Sequence, residues 1–382
     1  MAGDDMLRAG HPVRRFGSDR TSPLIVLGLA LMASAASATT RVVGPDGEGD
    51  FPNIQLAINA SAPGDTVELA DGTFRGEGNR DLLITTAITL RSQSGDPQTC
   101  EIDCQGAAPG LTLIASPTIE GLGIQNAHGS RGGGIVCYGH PTIWRCVVKE
   151  CSAYELGGGL FCEDFAGALV EDCVFEGNSA DVCGGGVYCY EDESTFRRCR
   201  FTSNQSSPWG GGGIFCVGAD TIEDCVFAGN TSGYYGGALS CGRGRVAGCT
   251  IWGSAGGGLS VGPTAVIENT IVAFGTSGPA VVCWSGTPTF VCCDLFGNAG
   301  GDWVECVADQ RDQNGNISAN PRFCDPEAGD FSVSLGSPCL PDYHPSGVDC
   351  GLIGAVGEGC APPPAISRTT WGALKWRNSG RR

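Results

Sequence analysis

The residues of this chain with the most chemical potential are aromatic rings set beside carboxylates. Tyr138, Phe161, Glu163, Tyr188, Tyr190 and Phe215 flank a recurring cysteine, and Asp164, Glu191, Asp192 and Glu193 crowd the stretch just after it. An exposed ring stacks on the apolar face of a sugar, and a carboxylate accepts its hydroxyl hydrogens, so such a strip suits saccharide binding. The competing reading is structural: aromatics serve well at any outward strand position, and a loop or partner can cover them. A pair of carboxylates is also the minimum for glycoside hydrolysis.

Metal chemistry is a poorer match. The 22 cysteines run in two lines through the repeats and do not converge with the four histidines, His11, His128, His140 and His344. A zinc site needs its donors at one point, so none is expected, and no other cofactor either. Ca2+ alone would suit so acidic a chain. The formal charge is −18, and lysine occurs only as Lys149 and Lys375. Nucleic acid is thereby excluded as an expected partner, because neutralising phosphates takes clustered basic residues.

A returning phrase sets these residues out. Gly132-Gly133-Gly134-Ile135-Val136-Cys137 is followed by Thr142-Ile143-Trp144-Arg145-Cys146-Val147-Val148. Copies stand at 157–162 with 170–175, at 184–189 with 196–201, and at 211–216 with 222–227. Weaker ones stand at 236–241 with 246–251, at 256–261 with 266–271, and at 278–283 with 290–295. Self-similarity at a period of 20 to 27 residues predicts a stacked solenoid. A nucleotide-cradling loop is excluded, because such a site is needed once and not in every coil. The glycines instead let the chain turn tightly into each coil.

Three apolar positions recur within the phrase. The first is Ile135, Leu160, Val187, Ile214, Leu239, Leu259 and Val281; the second is Ile143, Val170, Phe196, Ile222, Val246, Val266 and Phe290. The third is Val148, Phe175, Phe201, Phe227, Ile251, Ile271 and Leu295. Each should form an inward stack, with successive coils ~4.8 Å apart, so that about ten coils extend on the order of 50 Å. Asn178, Asn204, Asn230 and Asn298 also recur, as an asparagine ladder at a bend would. Outward pairs alternate in charge, from Glu171-Asp172 to Arg197-Arg198 to Glu223-Asp224, which helps to fix register.

Ahead of the repeats, Phe51, Ile54 and Ile58 have helical spacing, and Val67 and Leu69 alternate as a strand does. A helix before the first strand plugs the open end of a solenoid. This block, with the repeats, resembles right-handed parallel β-helix proteins of the pectin-lyase-like superfamily, which includes pectin methylesterases. The resemblance covers roughly 42–360. It implies an all-β right-handed parallel β-helix of about ten coils, with an N-terminal capping helix and an irregular C-terminal cap.

Enzymes of that superfamily act on acidic polysaccharides, but their motifs are missing. The glutamine pair, aspartates and arginine of pectin methylesterases have no counterpart. Of the polygalacturonase set only His128-Gly129 is faintly similar, and no arginine stands beside a calcium-type carboxylate cluster as in pectate lyases. Short turns favour a structural or glycan-binding, adhesive role over an enzymatic cleft. A polysaccharide lyase or glycoside hydrolase with an unrecognised catalytic set is the alternative.

So many cysteines point to an oxidising compartment. Cys137 with Cys146, Cys162 with Cys173, Cys189 with Cys199, Cys216 with Cys225, Cys241 with Cys249 and Cys283 with Cys293 occur rung by rung. Joint loss of both at Val261 and Asn269 favours bridges within a rung; bridges along a ladder fit the geometry too, and buried filler is the plain third reading. Cys324, Cys339, Cys350 and Cys360 are candidates for disulfides in the cap. Arg14, Arg15 and Arg20 precede an apolar run at 24–32 and Ala36-Ser37-Ala38, which reads as a signal peptide over 1–38. The expected plan is then the β-helix with its cap at 39–304, a C-terminal capping region at 305–360, and a proline-rich linker with a basic tail at 361–382. Localisation would be secreted or cell-surface, with no membrane span in the mature chain and a polysaccharide or cell-surface glycan as partner.

Overall fold

A computed structural model of the protein describes residues 37–163, 166–190 and 193–360. The chain divides into Met1–Ser37 and Ala38–Arg382, and every described strand and helix belongs to the second of these. The signal-peptide reading (but for Ser37 and Ala38), the tail at 361–382, and Asp164, Glu191 and Asp192 lie outside the described residues.

Short strands stack into three long parallel sheets of eleven, ten and nine strands, through which the chain passes in turn. This is the right-handed parallel β-helix, with one strand more in its longest sheet than the ten coils expected. The eleven-stranded sheet runs from Thr40–Val43 to Thr289–Val291, the ten-stranded from Gly72–Phe74 to Asp294–Phe296, and the nine-stranded from Leu82–Ile84 to Val281–Cys283. In the nine-stranded sheet each strand points its first and third residues inward, as in Ile135 and Cys137; in the other two the middle residue points in, as in Ile143 and Val148. Inward side chains are buried along all three stacks, except that Cys283 on the last strand of the nine-stranded sheet is only partly so.

One coil departs from the expected register by one residue. Val246 pairs with Ile267 rather than Val266, and Ile251 with Val272 rather than Ile271. Thr270, not Asn269, replaces the second cysteine there: its hydroxyl accepts from the Cys249 N–H at 3.3 Å. All these positions are apolar, so the pattern alone does not resolve a slip that reverses every side chain.

The glycine triplets lead into the nine-stranded sheet. Gly132 has φ +64, and a Cβ on Gly134 would lie 2.5 Å from the Gly159 carbonyl oxygen of the next coil. The first glycine supplies a left-handed turn, and the last lets backbones stack where no side chain fits. The asparagine ladder forms as expected: Asn178 and Asn204 each donate from the backbone to the Oδ1 of the next, Asn204 and Asn230, at 3.0 Å. Asn298 Oδ1 likewise accepts from the Gly275 N–H at 3.0 Å. The outward charges pair between coils, Arg197 with Glu223 at 2.9 Å and Arg245 with Glu268 at 2.8 Å.

Helix Ile54–Asn59 closes the N-terminal end by burying Ile54, Ala57 and Ile58, and the Asn53 side chain caps it by accepting from Leu56 N at 2.9 Å. At the other end the 3-10 helix Glu305–Gln310 buries Val307, and Trp303 donates to the Ile317 carbonyl at 2.8 Å. The remaining residues do more than cap. Strands Phe323–Asp325, Asp330–Ser334 and Glu358–Cys360 belong to a segment that turns back over the outer face of the ten-stranded sheet. There Phe331 packs on Val226 and Ala228, and Arg200 donates to the Gly329 carbonyl at 3.1 Å. Val226, Ala228 and Trp252 are outward apolar residues of that sheet at these coils, and a covering layer is what removes them from water.

Candidate functional site

The outer face of the nine-stranded sheet carries the expected rings, but not all of them face solvent. Phe161, Tyr188 and Phe215 occupy one outward position on consecutive strands. Their rings stack in a column, Phe161 on Tyr188 at 5.6 Å and 13°, Tyr188 on Phe215 at 5.4 Å and 0°. The Arg131 guanidinium lies 5.8 Å over Phe161 at one end, and Trp284 stacks 6.2 Å from Phe215 at the other. Leu156, Val182 and Cys183 pack against the column from the leading edge of the sheet. Phe161 is therefore 3% exposed and Tyr188 9%. This corrects the expectation that both face solvent: each ring face is covered by the next ring, so no sugar can stack there.

The open rings stand beside this column. Tyr138, Glu163, Tyr190, Val217, Gly242, Gly262 and Trp284 each follow the last residue of a strand and form the trailing edge of the sheet. Of these Tyr138 is 49% exposed, Tyr190 38% and Trp284 43%. Trp284 leans back across coils that present only small residues: a Cβ on Gly242 would lie 2.9 Å from its indole, and its Nε1 donates to Ser260 Oγ at 2.7 Å. On the leading edge, Trp209, Tyr234 and Tyr235 are exposed just ahead of the glycines. Sequence reasoning missed these three and Trp284. The signal was present in Trp209-Gly210-Gly211 and Tyr234-Tyr235-Gly236, where a ring precedes the glycines instead of following them, and in Cys283-Trp284.

Carboxylates line both edges. Glu163 is partly exposed and lies 3.8 Å from Arg131, whose Nε donates to Glu155 at 3.0 Å. Asp181 is exposed, and of the acidic turn cluster only Glu193 is described, exposed in the turn that leads to the strand Thr195–Arg197. The site is a shallow ring-bordered surface with carboxylates at its rims.

The cysteines do not bridge within rungs. Cys137, Cys162, Cys189, Cys216 and Cys241 stand in register along one sheet. Cys146, Cys173, Cys199, Cys225 and Cys249 form a second column at the bend. All remain thiols, as do Cys293 and Cys339. The two columns belong to different walls, and the second turns its sulfur to backbone carbonyls, as Cys146 does to Trp144 at 3.3 Å. Burial pushes the Cys104 and Cys151 thiols up to about 12, and the Cys173 and Cys225 thiols up as well, so all four stay protonated. Disulfides join Cys283 to Cys306, Cys292 to Cys350 and Cys324 to Cys360, all in the last coils and the returning segment. Cys283, Cys324, Cys350 and Cys360 were expected among them; Cys292 and Cys306 were not. Among the described residues no group of three or more His, Cys, Asp or Glu is arranged to hold a metal, and no helix is long and apolar enough to cross a membrane.

A polar groove of about 700 Å3 lies on a different edge, lined by Asp103, Asn126, His128, Glu150, Ser152 and Tyr154. His128 Nδ1 is 2.8 Å from Ser152 Oγ, and its ring meets Tyr154 edge-on at 4.4 Å. Burial raises the Asp103 carboxyl, but hydrogen bonds from Asn126, Gln105 and Arg75 outweigh it and hold the group below its usual range. Asp103 is thus an ionised anchor with both oxygens engaged.

A family model described as a right handed beta helix region matches residues 180–310. Among solved structures, pectate lyase Pel9A is similar at 13% identity over 85% of this chain and 97% of that one, with a TM-score of 0.48. The pectin methylesterase from Aspergillus niger in deglycosylated form is similar at 12% identity over 72% and 93%, with a TM-score of 0.42. The rice weevil pectin methyl esterase follows at 10% identity over 75% and 88%, with a TM-score of 0.35. A search of curated proteins finds no match.

Proposed function

Taking the chain as a right-handed β-helix, we propose that it is an exported glycan-binding protein with an adhesive role. Its platform is the outer face of the nine-stranded sheet. The observation that carries this reading is the contrast between the closed column of Phe161, Tyr188 and Phe215 and the open rings at its borders, Tyr138, Tyr190, Trp284 and Trp209. Open rings give a sugar its stacking surface, and Glu163 and Glu193 give its hydroxyls acceptors. Each contact is weak, so affinity comes from many sugars engaged along several coils at once. On a glycan array the native protein should retain polysaccharides, and Tyr190→Ala with Trp284→Ala should lower the signal by about tenfold with the circular dichroism unchanged. Equal retention by the double variant rules the platform out.

A second reading attaches to the polar groove. His128, Glu150 and Tyr154 there are groups able to move a proton. Release of reducing ends or of unsaturated products from a polysaccharide, lost on His128→Ala, is the result that would favour a hydrolase or lyase.

A further inference from the structure

We propose that the glycan this surface takes is a polymer of amino sugars carrying free ammonium groups, in preference to a neutral or a uronate-bearing chain. The inference rests on the glycan-binding reading above and adds the ligand's charge to it.

The protein carries a formal charge of −18. Along the ring-bearing coils of the nine-stranded sheet, from Arg131 to Trp284, the described charged side chains open to solvent at its edges are Glu155, Glu163, Asp181 and Glu193 against Arg131 and Arg243. Arg131 is already engaged, with its Nε on Glu155 at 3.0 Å and its guanidinium over the Phe161 ring. Arg243 turns its Nε to the Val217 carbonyl at 3.4 Å. A uronate chain laid on this face would bring its carboxylates within a screening length of ~8 Å of like charges that outnumber the two guanidinium groups, of which Arg131 is already ion-paired. A neutral chain would gain from the rings alone. An ammonium-bearing sugar gains from both sets of groups: Tyr and Trp faces attract cations, and the rim carboxylates accept charge-assisted hydrogen bonds. The long-range field adds to this by steering a polycation toward the face. The same sugars at every step along the polymer repeat the gain from coil to coil.

The test uses the full native chain and three soluble probes: a β-linked glucosamine polymer kept soluble by hydroxyethyl groups on its hydroxyls, the same derivative after complete N-acetylation, and polygalacturonate. Retention of each is measured by affinity electrophoresis at low and at physiological salt. The expected result is glucosamine polymer bound about tenfold more tightly than its acetylated form, with the difference shrinking as salt rises. Glu163→Gln with Glu193→Gln should remove most of that difference, and Tyr190→Ala with Trp284→Ala should weaken both polymers together. Two outcomes overturn the inference and leave glycan binding standing: the acetylated polymer or polygalacturonate is retained as well as the glucosamine polymer. Glucosamine binding that ignores the ring variants overturns it too, as mere attraction between polyions. Failure to retain any of the three probes overturns the glycan reading itself, and this inference with it.

Discussion

Tyr188 and Tyr190 are two residues apart, both outward, and have opposite fates. Tyr188 lies between Phe161 and Phe215 with both faces covered, whereas Tyr190 sits one step past the strand and stays open. Truncating a buried aromatic leaves a cavity, so Tyr188→Ala should cost about 2–4 kcal/mol in urea unfolding. Tyr190→Ala should cost under about 0.5 kcal/mol, and the two together separate stability from binding. A second residue reports on the returning segment. Asp294 opens the last strand of the ten-stranded sheet and is fully buried, with Ala319 N–H on Oδ1 at 3.0 Å and Cys339 Sγ 3.3 Å from Oδ2. Burial raises its carboxyl to about 7, against the hydrogen bonds from Ala319 and Cys339. The folded protein therefore holds a proton that the unfolded chain releases near pH 4, and stability should fall as pH rises from about 4 to 7. Asp294→Asn should flatten that fall, by at most about 4 kcal/mol at pH 8. An unchanged pH profile in the variant would show that the carboxyl is not held as described. Alternation along the strand made the outward direction of Tyr188 and Tyr190 legible in the sequence. It did not reveal which outward residue is covered, because the covering groups come from neighbouring coils and from Leu156, Val182 and Cys183 at the opposite edge.

Ladders, not single strands, hold the elements together. Asn204 accepts from Asn178 N–H and donates its Nδ2 to the Phe175 carbonyl at 2.9 Å, so it serves three successive coils. Asn204→Ala would leave these buried backbone groups without partners, each worth about 1–3 kcal/mol. A loss of about 3 kcal/mol or more in chemical unfolding is expected; a loss under about 1 kcal/mol would mean that water or a neighbour takes over the bonds. This ladder was legible because asparagine at a fixed offset has one main use in a stacked bend. The slip at Ile267 was not, since Val266, Ile267, Ile271 and Val272 are all apolar and the polar landmark there is a threonine rather than a cysteine. Nor was the pairing of the cysteines: two cysteines per coil look like partners in one dimension, yet they stand on different walls. The open rings were half legible. Tyr138 and Tyr190 show through their place beside the cysteine, whereas Trp209 precedes the glycines. Trp284 does follow its cysteine, but Gly242 and Gly262 hold that place in the two coils before it and break the line of rings.

The molecule as a whole combines a thiol-lined column with disulfides confined to its C-terminal end. All 22 cysteines are accounted for, sixteen as buried thiols and six in three bridges. Denatured, unreduced protein should therefore titrate about sixteen thiols and the native protein few, since thiols without solvent access react slowly. A denatured count near six would restore bridges within or along the ladders. Polysaccharide lying on the open rings of the nine-stranded sheet would shield them from oxidation, which footprinting reads ring by ring. With a retained polysaccharide present, peptide mass spectrometry should show Tyr138, Tyr190 and Trp284 oxidised severalfold less, while Tyr343, exposed on the returning segment, is unchanged. Full oxidation of those three rings under conditions where the polysaccharide is bound would contradict the account.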